Sequence, residues 1–200
     1  MNEAREIANV CVYCGSSPGH DPAFQQAAER FGRILAENGV GLVYGGGNLG
    51  LMGAVARSAI EAGGRVVGII PGFLAKREHM LEAVQELLVV DDMHTRKRLM
   101  FEKADAFVAF PGGIGTLEEL VEQLTWAQLG RHDKPVLIAD LAGFWAPLLG
   151  LLDHMRETGF IRREYEARYL VRDRVEDILP ALRAAYAATA RPRRALPQEF

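Results

Sequence analysis

Little in this sequence points to a metal, a membrane or a nucleic acid. Its two cysteines, Cys11 and Cys14, stand in CVYC. A redox CxxC opens a helix, whereas this pair lies in the β-like run VCVYC. No second CxxC or HxxxH follows to complete a zinc site. Both are therefore read as buried core thiols, which fits a cytoplasmic protein. His20, His79, His94, His132 and His154 are scattered without paired ligand spacing, so no metal is expected. No apolar run is long enough to span a bilayer, and the opening MNEARE lacks a secretory pattern. Basic charge is not in excess either. The formal net charge is -3 and the pI about 6.0, which argues against a broad nucleic-acid face.

What is present is the composition of an ordinary globular protein. The chain has 200 residues, 49% hydrophobic and 24% charged. That is enough for one domain with a full core. The expectation is a single domain over residues 1–190. A flexible tail follows over 191–200, where RPRRALPQEF carries prolines and arginines.

Short β-rich runs alternate with longer helical patterns. Strands are expected at 7–14, 41–44, 65–70, 87–90, 106–110 and 135–139, and helices at 22–38, 50–63, 92–104, 116–129, 143–158 and 174–190. Runs such as VVGII, AFVAF and PVLIA are apolar almost throughout, as strands buried on both faces are. The pattern predicts an α/β fold: a doubly wound, mostly parallel sheet with helices on both faces. In such a fold the ends of strands and the starts of helices share one edge. CGSS (14–17), GGGN (45–48), KRE (76–78), MHTRK (93–97) and PGGIGT (111–116) all fall on that edge, as if around one crevice.

Two glycine turns follow strands. Gly45, Gly47 and Gly50 have GxGxxG spacing, but the turn follows the second strand. The next strand, RVVGII, runs into Pro71 where a ribose-binding acid would stand, so a dinucleotide site is not favoured. A turn that lets a phosphate approach a helix start remains open, with Gly45, Gly46, Gly47 and Asn48 as contacts and Ser17 nearby.

In PGGIGTLEE, Thr116 and Glu119 have T-x-x-E spacing. One reading is a capping box, with Thr116 as N-cap and Glu119 at the third helical position. The other is a catalytic acid. At about 100° per residue, Leu117, Leu120, Val121 and Leu124 form the apolar stripe. Glu119 points nearly the other way, with Trp126 within about 20° of it. A tryptophan on a polar face needs cover, from another segment or from a second subunit.

On the neighbouring helix, Arg96 and Lys97 flank the Met93–Met100 side in its first turns. The helix dipole disfavours cations there, so an anionic ligand is expected. Phosphate at one end and Glu119 at the other would suit a ribose 5-phosphate unit, whose anomeric carbon becomes cationic as its bond breaks.

Together, VYCGSS, LVYGGGNLGLMG, KRE, MHTRK, PGGIGTLEEL and TWAQLGRHDKPV resemble the LOG (Lonely Guy) family over roughly residues 8–182. Its members are cytokinin riboside 5'-monophosphate phosphoribohydrolases, and bacterial ones were often labelled lysine decarboxylase. The resemblance implies a Rossmann-like fold and a homodimer, which agrees with the cover that Trp126 needs and so with the 116–129 helix lying near the interface; no cofactor is expected. It implies hydrolysis of the N-glycosidic bond of a nucleoside 5'-monophosphate, releasing free base and ribose 5-phosphate. Some members also act on AMP. The family's catalytic positions fall on Arg96 and Glu119. Its substrate-binding positions fall on Glu78, Lys97, Gly113, Ile114, Gly115, Thr116, Leu117, Glu118 and Thr125, and Gly112 adjoins them.

The expected mechanism keeps Glu119 ionised to stabilise the oxocarbenium-like ribose. Arg96 holds the nucleotide, and Glu78 is a second carboxylate on the same edge. Decarboxylation through pyridoxal phosphate fits poorly, because among Lys76, Lys97, Lys103 and Lys134 only Lys97 is well placed. The rival from another class is a non-catalytic nucleotide sensor or carrier on the same fold.

Overall fold

The computed structural model describes residues 6–75, 81, 84–162, 166 and 168–189. In chain order the elements are β1 (Asn9–Tyr13), α1 (Pro22–Glu37), β2 (Gly41–Tyr44), α2 (Gly50–Glu61), β3 (Val66–Pro71) and the short α3 (Gly72–Ala75). Then come β4 (Glu86–Val90), α4 (Met93–Lys103), β5 (Ala106–Ala109), α5 (Ile114–Gln128), β6 (Val136–Ala139), α6 (Ala146–Glu157), β7 (Leu170–Arg172) and α7 (Ile178–Thr189). The seven strands form one sheet in the order β4-β3-β2-β1-β5-β6-β7, and every described pair is parallel.

Alternation along β1 shows how the sheet divides the core. Val10, Val12 and Cys14 face one layer, where Phe31 and Leu35 of α1, Ala56 of α2 and Leu182 of α7 pack. Cys11 and Tyr13 face the other, with Met100 of α4, Leu120 and Leu124 of α5, and Trp145 at the start of α6. Helices thus cover both faces, which is why β1, β2 and β5 are buried along nearly their whole length.

The expected strands and helices all form, with ends shifted by up to four residues. β7 and α3 were not anticipated. β7 is three half-buried residues at the sheet edge, too short to carry a pattern. Asp105 ties down the opposite edge of the sheet from the crevice. Its Oδ2 accepts from the Ala8 and Asn9 N–H groups at 2.9 Å each, and its Oδ1 accepts from the Tyr186 hydroxyl at 3.3 Å.

The feature that matters for function is the reversal of strand order at β1. From β1 the chain builds outward to β4, then returns to place β5 on the other side of β1. The helices after β1 and β5 leave toward opposite faces, and a crevice opens outside the carboxyl ends of these two strands.

Candidate active site

A cavity of about 250 Å³ occupies that crevice. Its walls come from the turn after β1, Gly45 after β2, Met52 of α2, Arg96 and Met100 of α4, and the first turns of α5. One residue joins three of these segments. Gly15 N–H donates to Pro111 O at 3.0 Å, while Gly15 O accepts from Leu51 N at 3.0 Å and Met52 N at 3.3 Å. The CGSS turn therefore holds the PGG turn and the start of α2 together.

Arg96 reaches into the cavity from α4 and is 7% exposed. Its Nε donates to Ile69 O at 3.2 Å, its Nη2 to Gly45 O at 3.5 Å, and its Nη1 lies 3.3 Å from Glu119 Oε1. A Cβ on residue 45 would stand 2.2 Å from Nη2 and 2.9 Å from Met52 Sδ. The glycine turn after β2 thus makes room for a guanidinium, where the sequence left room for a phosphate open. Asn48 closes that turn instead: its carbonyl and side-chain oxygens accept from Arg57 Nη1 at 2.8 and 2.5 Å. Gly46 packs against Ile70, Gly47 is buried, and neither lines the cavity.

Glu119 is buried at 6% exposure, which corrects two expectations. First, the capping box is absent. Gly113 is the N-cap of α5 and has no side-chain cap bond, so Thr116 and Glu119 lie within the helix. The glycine turn feeds the helix earlier than the T-x-x-E spacing implied. Second, the buried face of α5 is Thr116, Glu119, Leu120, Gln123 and Leu124, whereas Val121 is 43% exposed. The face is rotated from the apolar stripe because polar side chains of the crevice occupy it. Trp126 does find cover within its own chain, meeting the Phe101 ring of α4 edge-on at 5.2 Å.

The start of α5 is open to the cavity. The N–H groups of Ile114, Gly115 and Thr116 belong to the first turn, which has no intrahelical partners. By contrast, α1 and α4 are capped by Asp21 and Asp92. A Cβ on Gly113 or Gly115 would meet nothing within 4 Å. On Gly112 it would stand 2.2 Å from Thr116 Oγ1, so that glycine lets the threonine hydroxyl fold back beneath the turn. Uncapped N–H groups and the helix dipole make this end ready for an anion.

Several expected contacts lie elsewhere. Lys97 Nζ is 2.5 Å from Glu118 Oε1 and 2.9 Å from Glu122 Oε1, and it does not line the cavity. Burial opposes its charge, but the hydrogen bonds to Glu118 and Glu122 and their charges outweigh it and raise its pKa above 10.5. Leu117 packs into the Met100–Leu124 layer. Thr125 is exposed, its hydroxyl donating to Val121 O at 2.8 Å. Ser17 is exposed beside Ser16, which does line the cavity. Glu78, Lys76 and His79 lie outside the described residues.

The residues that sequence reasoning missed as site residues are Val12, Tyr13, Cys14, Gly15, Ser16 and Met100. CGSS had marked the turn without singling out Gly15 or Ser16, and the others read as core. Burial and then Glu119 push the Cys14 thiol far up, so it stays protonated. No group of three or more His, Cys, Asp or Glu among the described residues could hold a metal.

The family described as "Possible lysine decarboxylase" matches residues 52–182. A cytokinin riboside 5'-monophosphate phosphoribohydrolase LOG from Oryza sativa subsp. japonica is 48% identical over 155 residues, 78% of this chain and 64% of that protein. LOG3 from Arabidopsis thaliana, with the same activity in its name, is 49% identical over 156 residues, 78% of this chain and 73% of that protein. The chain belongs to the LOG family. A cytokinin riboside 5'-monophosphate phosphoribohydrolase from Rhodococcoides fascians is 44% identical over 177 residues, 88% of this LOG chain and 89% of that protein. The LOG chain spans just under two thirds of the rice relative's length.

Among solved structures, the Moco carrier protein from Chlamydomonas reinhardtii superposes with a TM-score of 0.68 at 22% identity, covering 92% of this chain and 99% of that one. The molybdenum cofactor binding protein from Rippkaea orientalis gives 0.64 at 21%, covering 90% and 97%. At such identity they share the Rossmann-like fold alone. No helix among the described residues is long and apolar enough to cross a membrane.

Proposed function

We propose that this LOG-family chain hydrolyses the N-glycosidic bond of cytokinin riboside 5'-monophosphates, releasing an N6-substituted adenine and ribose 5-phosphate. AMP is a further candidate substrate. The observation that carries the reading is the buried Arg96–Glu119 pair, set in the same cavity as the uncapped start of α5.

The substrate's phosphate takes the N–H groups of residues 114–116 together with the Thr116 hydroxyl. Its ribose then lies over Glu119. As the C1'–N9 bond breaks, positive charge grows on the ribose, and the buried carboxylate stabilises it more than water would. Water adds to C1', the bonding pair leaves with the base, and a proton from the water completes the products. Arg96 is tied to two backbone carbonyls and lies 3.3 Å from Glu119, so its part is to orient that carboxylate; the phosphate falls to α5. Lys97, joined to Glu118 and Glu122, sets the outer face of the same helix.

The family's decarboxylase description has little support here. Lys97 is held by two glutamates, Lys103 by Glu86 at 2.8 Å, and Lys134 by Phe101 O at 2.7 Å; none lines the cavity. We also place the chain as a single-domain cytoplasmic homodimer packed through α5. Val121 along α5 is 43% exposed, and Ile114 at its start and Leu129 at its C-cap are 81% and 70% exposed.

The test is a product assay with isopentenyladenosine 5'-monophosphate. Free isopentenyladenine and ribose 5-phosphate are expected by chromatography. Nucleotide bound yet intact after many hours would favour the carrier reading.

A further inference from the structure

One buried polar side chain of α5 is left unexplained by the site as described. Gln123 is 0% exposed, and neither its Oε1 nor its Nε2 has a hydrogen-bond partner among the described residues. Its backbone carbonyl is engaged separately, by His132 Nε2 at 3.2 Å. With Nε2 donating, His132 Nδ1 presents a lone pair that is also buried and without a partner. Leu120 and Leu124 on the same helix face belong to the apolar layer that Cys11, Tyr13 and Phe107 of β1 and β5 also join.

A glutamine that merely filled this space would be a poor choice. A methionine of similar length would fill it without burying an amide that finds no partner. Native proteins explain such groups by a bound water or a functional role. The position is compatible with both. Gln123 stands four residues after Glu119 on one helix face, which sets their Cβ atoms about 5–6 Å apart. On α1 the same spacing carries a direct Gln25–Glu29 hydrogen bond at 2.9 Å, whereas the Gln123 amide makes none, which leaves a water to join amide and carboxylate.

We infer that Gln123 is a positioning residue for Glu119, holding the carboxylate through a water bound behind it, on the side away from substrate. Arg96 fixes Glu119 from the α4 side, and Gln123 fixes it from below. The two together leave the carboxylate one orientation, toward the ribose. Gln123 itself touches no substrate.

The inference rests on Glu119 being the catalytic carboxylate, so the experiment includes Glu119→Gln as a reference. Gln123→Met and Gln123→Leu keep the volume and remove the amide. Each is expected to lower kcat about tenfold with KM within twofold, as loss of an orienting partner one shell out does. Melting temperature should change little, because the side-chain volume is kept and the amide is removed together with the water it holds. Trp145→Phe, which removes another buried donor without a partner in the same layer, should leave kcat unchanged. Wild-type kcat in both Gln123 variants, with Glu119→Gln inactive, would overturn this inference alone. Full activity in Glu119→Gln would instead sink the proposed function and this inference with it.

Discussion

Glutamine at position 119 is expected to lower kcat for riboside monophosphate hydrolysis by about 10²–10³-fold, the size seen when one preorganised electrostatic partner of a transition state is lost. Glutamine keeps the shape and still offers Arg96 an oxygen, but it cannot oppose a developing positive charge. KM should move little, because the phosphate site on α5 is intact. Stability should fall by about 3 kcal/mol, since a buried guanidinium loses its counter-charge. The double variant Arg96→Met, Glu119→Leu separates the two effects. Replacing both charges with apolar groups should restore most of that stability in urea denaturation while activity stays lost. If the double variant proved less stable than Glu119→Gln, the pair would be a structural device first.

The second large effect is expected at Gly45. Alanine there puts a Cβ where Arg96 Nη2 now sits, 2.2 Å away. The neighbour is the end of a flexible side chain, so the guanidinium can shift and the fold survives. The shift takes it off Gly45 O and loosens its hold on Glu119. A displacement of about 1 Å in a catalytic group can cost about 10²-fold, and a loss of that order in kcat is expected with nucleotide binding retained. Gly46→Ala serves as contrast. Gly46 has φ +79°, and its Cβ would meet Ile70, so its main cost should be stability. Wild-type kcat in Gly45→Ala would show that Arg96 does not need its carbonyl socket.

These expectations depend on features that the sequence showed unevenly. The parallel sheet was legible because VVGII, AFVAF and PVLIA are apolar on both faces and little else reads that way. The crevice was legible because glycine turns and a basic helix start recurred at equivalent points in successive units. The orientation of α5 was not. An apolar stripe normally marks the inward face, but here Thr116, Glu119 and Gln123 share that face, and Val121 lies partly outside. A site built into a core helix hides from hydrophobic periodicity for this reason. The capping box misled in a similar way, since T-x-x-E at a helix start reads the same whether the threonine caps or is buried. GGG after β2 leaves a phosphate turn open in the sequence; that the missing Cβ of Gly45 makes room for Arg96, some fifty residues away in sequence, is a tertiary fact. Tyr13, Cys14 and Met100 are ordinary core residues in pattern, and only the strand order at β1 makes them cavity walls.

The most direct measurement is a crystal structure of the Glu119→Gln protein soaked with isopentenyladenosine 5'-monophosphate, with the nucleotide uncleaved. The phosphate should lie on the N–H groups of Ile114, Gly115 and Thr116, and C1' should stand beside the residue 119 side chain, with Arg96 still on the Gly45 and Ile69 carbonyls. A phosphate bound at Lys97, or a C1' turned away from residue 119, would contradict the assignment of Glu119 to the glycosidic bond.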